Sequence, residues 1–252
     1  HQLRTPLASI KGYLSMVLEG DAGAIRPQQR EFLGQAFASS QRMVFLITDL
    51  LNVSRLKIGK FLIEPTAVNL ADMISAEISQ LHEAAQARSL SLAYDKPEQF
   101  PLLNLDETKT RQVVMNFLDN AIYYTPPGGK IEIKLTDNQN SIELRISDNG
   151  IGVPKHEQHH LFTKFYRAGN AQKIRPDGTG LGLFMAQKVI VAEGGAVIFT
   201  SQEGKGSTFG FSFPKSNLAV KDDPPKTSDS KPPKAAQREP ELAHASGSEG
   251  VS

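Results

Sequence analysis

Asp148-Asn149-Gly150-Ile151-Gly152 and Gly178-Thr179-Gly180-Leu181-Gly182 decide the reading of this chain, with Asn116 and Asn120 standing one helical turn apart ahead of them. Glycine tolerates positive φ and lets backbone N–H groups approach phosphate oxygens, so two such clusters at loop junctions suit a polyphosphate cradle. A third cluster, Gly204-Lys205-Gly206-Ser207-Thr208-Phe209, completes the set. One glycine cluster alone ordinarily marks a turn. The ordered combination predicts a split nucleotide site.

Composition narrows the function classes. At 252 residues and 39% hydrophobic content the chain is long enough for one sizeable core and a smaller unit. A formal charge of +1, with no face rich in Lys and Arg, argues against nucleic-acid binding. Without cysteine there is no disulfide framework, thiolate nucleophile or zinc–thiolate site, which is compatible with a reducing compartment. No apolar run reaches the roughly 18 residues of a membrane span. The chain opens on His1 rather than Met, so any membrane anchor is expected upstream of it.

Periodicity divides the chain. Leu3, Leu7, Ile10, Leu14 and Val17 alternate in steps of four and three, the seam of a bundle helix that ends at Gly20-Asp21-Ala22-Gly23. After Pro27 a second helix is predicted to about Ile58, with Leu33, Ala36, Met43, Ile47 and Leu50 on one stripe, widened by Phe32, Leu46 and Val53. Two helices bury too little surface alone, so this hairpin, residues 1–60, is expected to form a four-helix bundle as a homodimer. Residues 64–215 read as an α/β sandwich, the second part of an α+β chain. Asn69 and Asp106 cap helices, and the alternating segments Ile131-Ile133-Leu135 and Ile142-Leu144-Ile146 form a hairpin turning at residues 137–140. A helix at 183–192 and strands at 197–200 and 208–213 follow, with helices on one sheet face. Residues 216–252, rich in Pro, Ser, Lys, Asp and Glu, are expected to be a disordered tail.

Several side chains carry possible chemistry. His1 falls roughly 160° from the apolar seam of its helix, so its imidazole is expected to face solvent. Thr5 lies one turn on along the same side, and Pro6 lacks the N–H that would bond the Gln2 carbonyl, which bends the helix near the histidine. Asn116, Asn120 and Tyr123 project within about 60° of one another and can line one side of a cleft. His156-Glu157-Gln158-His159-His160 has the spacing of a zinc protease, yet it follows Val153-Pro154 in a loop and lacks a third ligand, so it is not read as a metal site.

The run His1-Gln2-Leu3-Arg4-Thr5-Pro6-Leu7, on a dimerising hairpin ahead of a nucleotide site, resembles the phosphoacceptor segment of bacterial sensor histidine kinases. The resemblance extends to about residue 215. Residues 116–120 look like that family's asparagine box, 148–152, 178–182 and 204–209 its three glycine boxes, and 162–165 its phenylalanine box. It implies the ATP-binding fold shared with type II topoisomerases, mismatch-repair ATPases and a heat-shock chaperone. It further implies ATP and Mg²⁺ as ligands, His1 as phosphoacceptor, and a response-regulator receiver domain as partner. Gln2, Thr5 and Asn116 are carried over as catalytic positions. Asn120 would coordinate the Mg²⁺ that bridges the phosphates, Asp148 would accept a hydrogen bond from the adenine amino group, and Tyr124 would pack beside the base. Gly150, Gly152, Gly178, Thr179, Gly180, Leu181, Gly182 and Thr208 are carried over as nucleotide contacts, and residues 155–177 as a mobile lid. The family's usual setting is the cytoplasmic side of an inner-membrane-anchored protein.

Two positions depart from the family pattern. Gln2 stands where an acidic residue usually orients the imidazole, and Tyr123 where Lys or Arg usually meets the phosphates. Since a histidine of pKa about 6.5 is mostly neutral at pH 7, and positioning and electrostatics carry most of phosphoryl transfer, the expected effect is a slower reaction rather than none. The competing readings are an ATP-binding scaffold without transfer and a clamp-type ATPase of the same fold.

Overall fold

The computed structural model describes residues 4–57 and 61–218, apart from the side chains of residues 4, 5, 38, 41, 42, 45, 46, 49, 52 and 57. His1, Gln2, Leu3, the expected helix end at Ile58 and the tail beyond 218 lie outside these residues, as does the Thr5 side chain.

The chain opens with the hairpin, α1 (Arg4–Glu19) and α2 (Pro27–Lys57). α1 stops because Gly20 takes φ +98: its N–H reaches the Val17 carbonyl, and the Asp21 N–H reaches that of Met16. This is the paired closure that a left-handed residue makes at a helix end. α2 starts with Pro27 in its first position, where a missing N–H costs nothing, and the Gln29 side chain accepts the Arg26 N–H at 3.0 Å. Tyr13, Met16, Phe32, Met43 and Leu50 remain exposed on this hairpin, whereas Leu7 and Val53 are buried.

The remainder follows the order β1 (Thr66–Asn69), α3 (Leu70–Ala87), β2 (Ser91–Tyr94), β3 (Leu102–Leu105), α4 (Glu107–Tyr124), β4 (Lys130–Asp137), β5 (Ser141–Asp148), α5 (Gly169–Ile174), α6 (Gly182–Ala192), β6 (Ala196–Gln202) and β7 (Gly206–Pro214). Five strands form one sheet in the order β2-β4-β5-β7-β6; β2 and β4 are parallel and the other pairs antiparallel. β1 and β3 form a separate antiparallel pair, which the sequence reading lacked, as it lacked β2. All three are four residues long, too short for alternation to declare them.

The β4–β5 hairpin has the expected register. Ile133 faces Ile146 and Leu135 faces Leu144, all buried, while Lys134 lies across from Arg145 on the open face. α3, α4 and α6 cover the apolar face, and Phe117, Phe211 and Phe213 are fully buried there. Asn69 caps α3 by accepting the Asp72 N–H at 3.1 Å, and Asp106 caps α4 by accepting the Lys109 N–H at 3.0 Å.

The expected boundary at 215 needs correction. A short 3-10 turn at Lys215–Asn217 leads to Leu218, which is buried in the core and accepts the Asn104 N–H at 3.0 Å through its carbonyl. Leu218 thus extends the packed part of the chain past the short turn.

A buried polar junction fixes the start of α4. Glu193, just past α6, accepts the Asp106 N–H at 2.8 Å and the Thr110 hydroxyl at 3.0 Å, while Asp106 accepts the Glu64 N–H at 3.0 Å and pairs with the Lys109 ammonium. Burial, with the nearby Asp106 charge, raises the Glu193 carboxyl to about 7 despite the bonds it accepts. Asp106 moves oppositely: burial pushes it up, but Lys109 and two N–H donors outweigh that and hold it below its ordinary value. Folded Glu193 therefore keeps its proton at pH values where the unfolded chain has lost it. Its contribution to stability is full below about pH 4.5 and declines as pH rises through 7. Glu193→Gln, which is neutral throughout, should gain melting temperature relative to wild type by a few degrees between pH 5 and pH 8, measured by thermal unfolding.

Candidate functional site

α4 is held by its cap and by the buried face Val113, Val114, Phe117, Leu118 and Ala121, and this fixes what its other side presents. Asn116, Asn120 and Tyr124, four residues apart, line a cavity of about 550 Å³. Tyr123 does not line it, contrary to the helical projection. The Arg175 guanidinium lies 3.9 Å from the centre of the Tyr123 ring and occupies the lining in its stead.

Asp148 ends β5 and reaches the same cavity. Its Oδ1 accepts the Gly150 N–H at 2.8 Å and the Ser207 N–H at 3.3 Å. Burial pushes its carboxyl above the ordinary value, and the two N–H donors act against that. The first and third glycine clusters are thus tied together through one carboxylate oxygen.

The second cluster supplies Gly178, Thr179, Gly180 and Gly182 to the lining. Gly180 has φ +67, and a Cβ there would stand 2.6 Å from the Phe165 carbonyl carbon. Its carbonyl accepts the Phe165 N–H at 3.0 Å. Gly182 begins α6, and a Cβ on it would come within 3.0 Å of Asn116 Oδ1, so the helix start and the asparagine face meet closely. No side chain caps α6; the Thr179 hydroxyl instead accepts the Leu181 N–H at 3.2 Å. An uncapped helix start directs N–H groups and positive partial charge outward, which suits an anion.

Between these clusters the chain folds over the cavity. Glu157 accepts the Tyr166 hydroxyl and the Gly169 N–H, both at 2.8 Å, and the Asn170 amide donates to the Gly152 carbonyl at 2.9 Å. Arg167 donates to the carbonyls of Pro176 at 2.9 Å, Gly178 at 3.1 Å, Ala171 at 3.4 Å and, more closely still, Arg175. In the run 156–160, Glu157 is engaged in these bonds, and the rings of His159 and His160 lie against each other at 3.8 Å.

Three residues expected at the nucleotide stand outside the lining. Gly150 lies against α4, where a Cβ would meet the Tyr124 carbonyl oxygen at 2.3 Å; Leu181 is buried against Val53, Phe184 and Met185; the Thr208 hydroxyl shares a hydrogen bond with that of Ser147 at 2.9 Å. Gly152 does line the cavity. Sequence reasoning missed Asp119, Arg167, Asn170, Arg175 and Ser207, and it missed Val44 and Thr48 of α2, which line the same cavity. Ser207, inside the third glycine cluster, was within reach of the motif; the α2 residues carried no signal beyond apolar periodicity.

Comparison with known proteins agrees with this geometry. Residues 105–217 match the family of histidine kinase-, DNA gyrase B- and HSP90-like ATPases, and residues 1–59 match the His Kinase A (phospho-acceptor) domain, together more than half of the chain. The circadian input-output histidine kinase CikA of Synechococcus elongatus is 30% identical over 220 residues, 86% of this chain and 29% of that protein. The sensor histidine kinase WalK of Bacillus subtilis is 30% identical over 216 residues, 85% of this chain and 35% of that protein. Full-length ShkA, crystallised with AMPPNP, shares the fold with a TM-score of 0.66 at 24% identity, covering 87% of this chain and 44% of that one. The chain spans less than half the length of each of these three.

The closeness of Gly180 to Phe165 has a measurable consequence. Gly180→Ala must hold an L side chain at positive φ, at roughly 1–2 kcal/mol, and must also shift the Phe165 backbone. Gly204→Ala carries only the first cost, since a Cβ at Gly204, φ +74, meets nothing within 4 Å. Thermal unfolding should show the Gly180 variant losing clearly more melting temperature than the Gly204 variant.

Proposed function

The chain belongs to the sensor histidine kinases, and we propose that it transfers the γ-phosphoryl group of ATP to His1 and thence to an aspartate on a response-regulator receiver domain. The observation that carries this reading is the extent of the cavity. It runs from Asp148 and the glycine clusters past Asn116 and Asn120 to Val44 and Thr48 on α2. Arg30 reaches the Leu18 carbonyl at 2.9 Å and Lys11 lies over the Phe37 ring, a register that sets Val44 beside the start of α1. His1 precedes that start in the sequence by three residues. What supports the reading is that one cavity is lined both by the glycine clusters and by the part of α2 that lies beside the start of α1.

In this reading adenine lies beside Tyr124, with its amino group donating to Asp148, whose other contacts fall on Oδ1. The phosphates meet Gly178 to Gly182 and the uncapped start of α6. The residues present fit a magnesium ion, because Asn120 and Asn116 offer amide oxygens and this ion accepts oxygen donors while retaining phosphate and water ligands. Asn120 would hold it, and it would neutralise phosphate charge. A lone pair on the neutral His1 ring attacks the γ-phosphorus, the bond to the bridging oxygen breaks, and ADP leaves. Positive charge develops on the ring, where the Gln2 amide oxygen can accept a hydrogen bond but cannot neutralise it. Thr5 is assigned to orienting water for dephosphorylation of the partner regulator. The exposed apolar face of the hairpin, with Tyr13, Met16, Phe32, Met43 and Leu50, is assigned to a second copy of the chain. No described helix is long and apolar enough to cross a membrane.

Single-turnover labelling of the full-length protein with ATP and Mg²⁺ tests this. Label should be acid-labile and base-stable, and His1→Gln should abolish it while nucleotide affinity stays nearly unchanged. Label persisting in that variant would remove His1 as the acceptor. Gln2→Glu should speed the same step by up to about 10²-fold, the lower end of general-base assistance, since an unperturbed histidine is already mostly neutral at pH 7. An unchanged or slower rate would refute the charge argument.

A further inference from the structure

We propose that Arg175, stacked on Tyr123, is the side-chain cation that meets the polyphosphate in this chain, with Tyr123 as the residue that positions it. The inference rests on the nucleotide reading above and assigns the charge within that site.

Among the described residues, the cations lining the cavity are Arg111, Arg167 and Arg175. Arg111 is held by two carboxylates, those of Glu77 and Glu107. Arg167 directs its guanidinium to four backbone carbonyls of the segment over the cavity. Arg175 is engaged differently. Its Nε forms a loose ion pair with Asp177 Oδ1 at 3.8 Å, too long for a hydrogen bond, and is buried with no hydrogen-bond partner among the described residues. A buried charged donor in that state, on a guanidinium that lines the cavity, has bonding capacity that an incoming acceptor can satisfy. α4 offers no alternative, because residues 116–124 include no Lys or Arg.

Tyr123 explains how the cation stays in place. Arg88 donates to the carbonyls of Tyr123 at 3.1 Å and Thr125 at 3.4 Å, which holds the end of α4, and the Tyr123 ring carries the Arg175 guanidinium at 3.9 Å. A guanidinium over an aromatic face is attracted by the ring's quadrupole and keeps its N–H edge directed outward. Burial raises Asp119, a lining carboxylate, above its ordinary value, and the charge of Arg175, which lines the same cavity, partly opposes that rise. A basic side chain at position 123 would instead repel Arg175.

The test is the ratio of ATP to AMP affinity with Mg²⁺, by calorimetry on the full chain, with AMP reporting that the base site is intact. Arg175→Gln should weaken ATP about tenfold and leave AMP within about twofold, the scale of one charge-assisted contact. Tyr123→Phe, which keeps the ring, should bind ATP like wild type. Tyr123→Lys should fail to improve ATP binding in the wild-type background but restore it in the Arg175→Gln background. An unchanged ATP-to-AMP ratio in Arg175→Gln, or a gain from Tyr123→Lys that is equal in both backgrounds, would overturn the assignment while leaving the nucleotide site standing. A wild-type chain that binds neither nucleotide would overturn the nucleotide reading and the assignment with it.

Discussion

The junction at Asp106 is the constraint on which the rest of the α/β part depends. A single carboxylate caps α4, accepts the Glu64 N–H from the segment that follows the hairpin, and pairs with Lys109. Its own N–H is bound by Glu193 at the end of α6. Loss of a helix cap alone typically costs about 1 kcal/mol. Here the same group also sets where α4 begins relative to α6, and with it the meeting of Asn116 and Gly182. An apolar replacement could fill the volume but could not specify that register.

Charge inside the cavity follows a consistent logic. The carboxylates Glu77, Asp119, Asp148 and Asp177 line it together with three arginines, so the two signs are nearly balanced. Desolvation raises Asp148 and Asp119, and each is opposed by something local: N–H donors for Asp148, the Arg175 charge for Asp119. Arg167 is taken up by backbone carbonyls. It gathers the carbonyls of Ala171, Pro176 and Gly178 and so ties the segment around α5 together. The fold over the cavity is therefore held by Glu157 and Arg167 together with the buried Leu161 and Ala168.

What could be read in the sequence was local. The caps at Asn69 and Asp106 act over three residues, and the alternation of 131–135 and 142–146 declares its own buried face, so both appear in the chain text. Contacts between distant segments were hidden. β1 and β3 pair across a full helix, and Arg175 meets Tyr123 from another element altogether. The glycine clusters were legible as a set but not residue by residue, because glycine serves close packing and ligand approach equally well. Gly150 is small so that the chain can pass Tyr124, whereas Gly182 is small where the cavity wall needs Asn116 near a helix start.

Leu181 shows how the two parts of the chain constrain each other. It sits within the second glycine cluster, between two cavity-lining glycines, yet its own side chain is buried with Phe184 and Met185 against Val53 of α2. Phe61 packs on the same cluster from the segment after the hairpin and also on the main core. A shift of α2 near Val53 must either break this contact, exposing about 1.5–3 kcal/mol of apolar side chain, or carry Leu181 with it. Close-packed interiors transmit such displacements because they have few voids to absorb them. Moving Leu181 moves Gly180 and Gly182, and hence the start of α6 against Asn116. The geometry of the cradle is thereby a property of the hairpin as well as of the sheet.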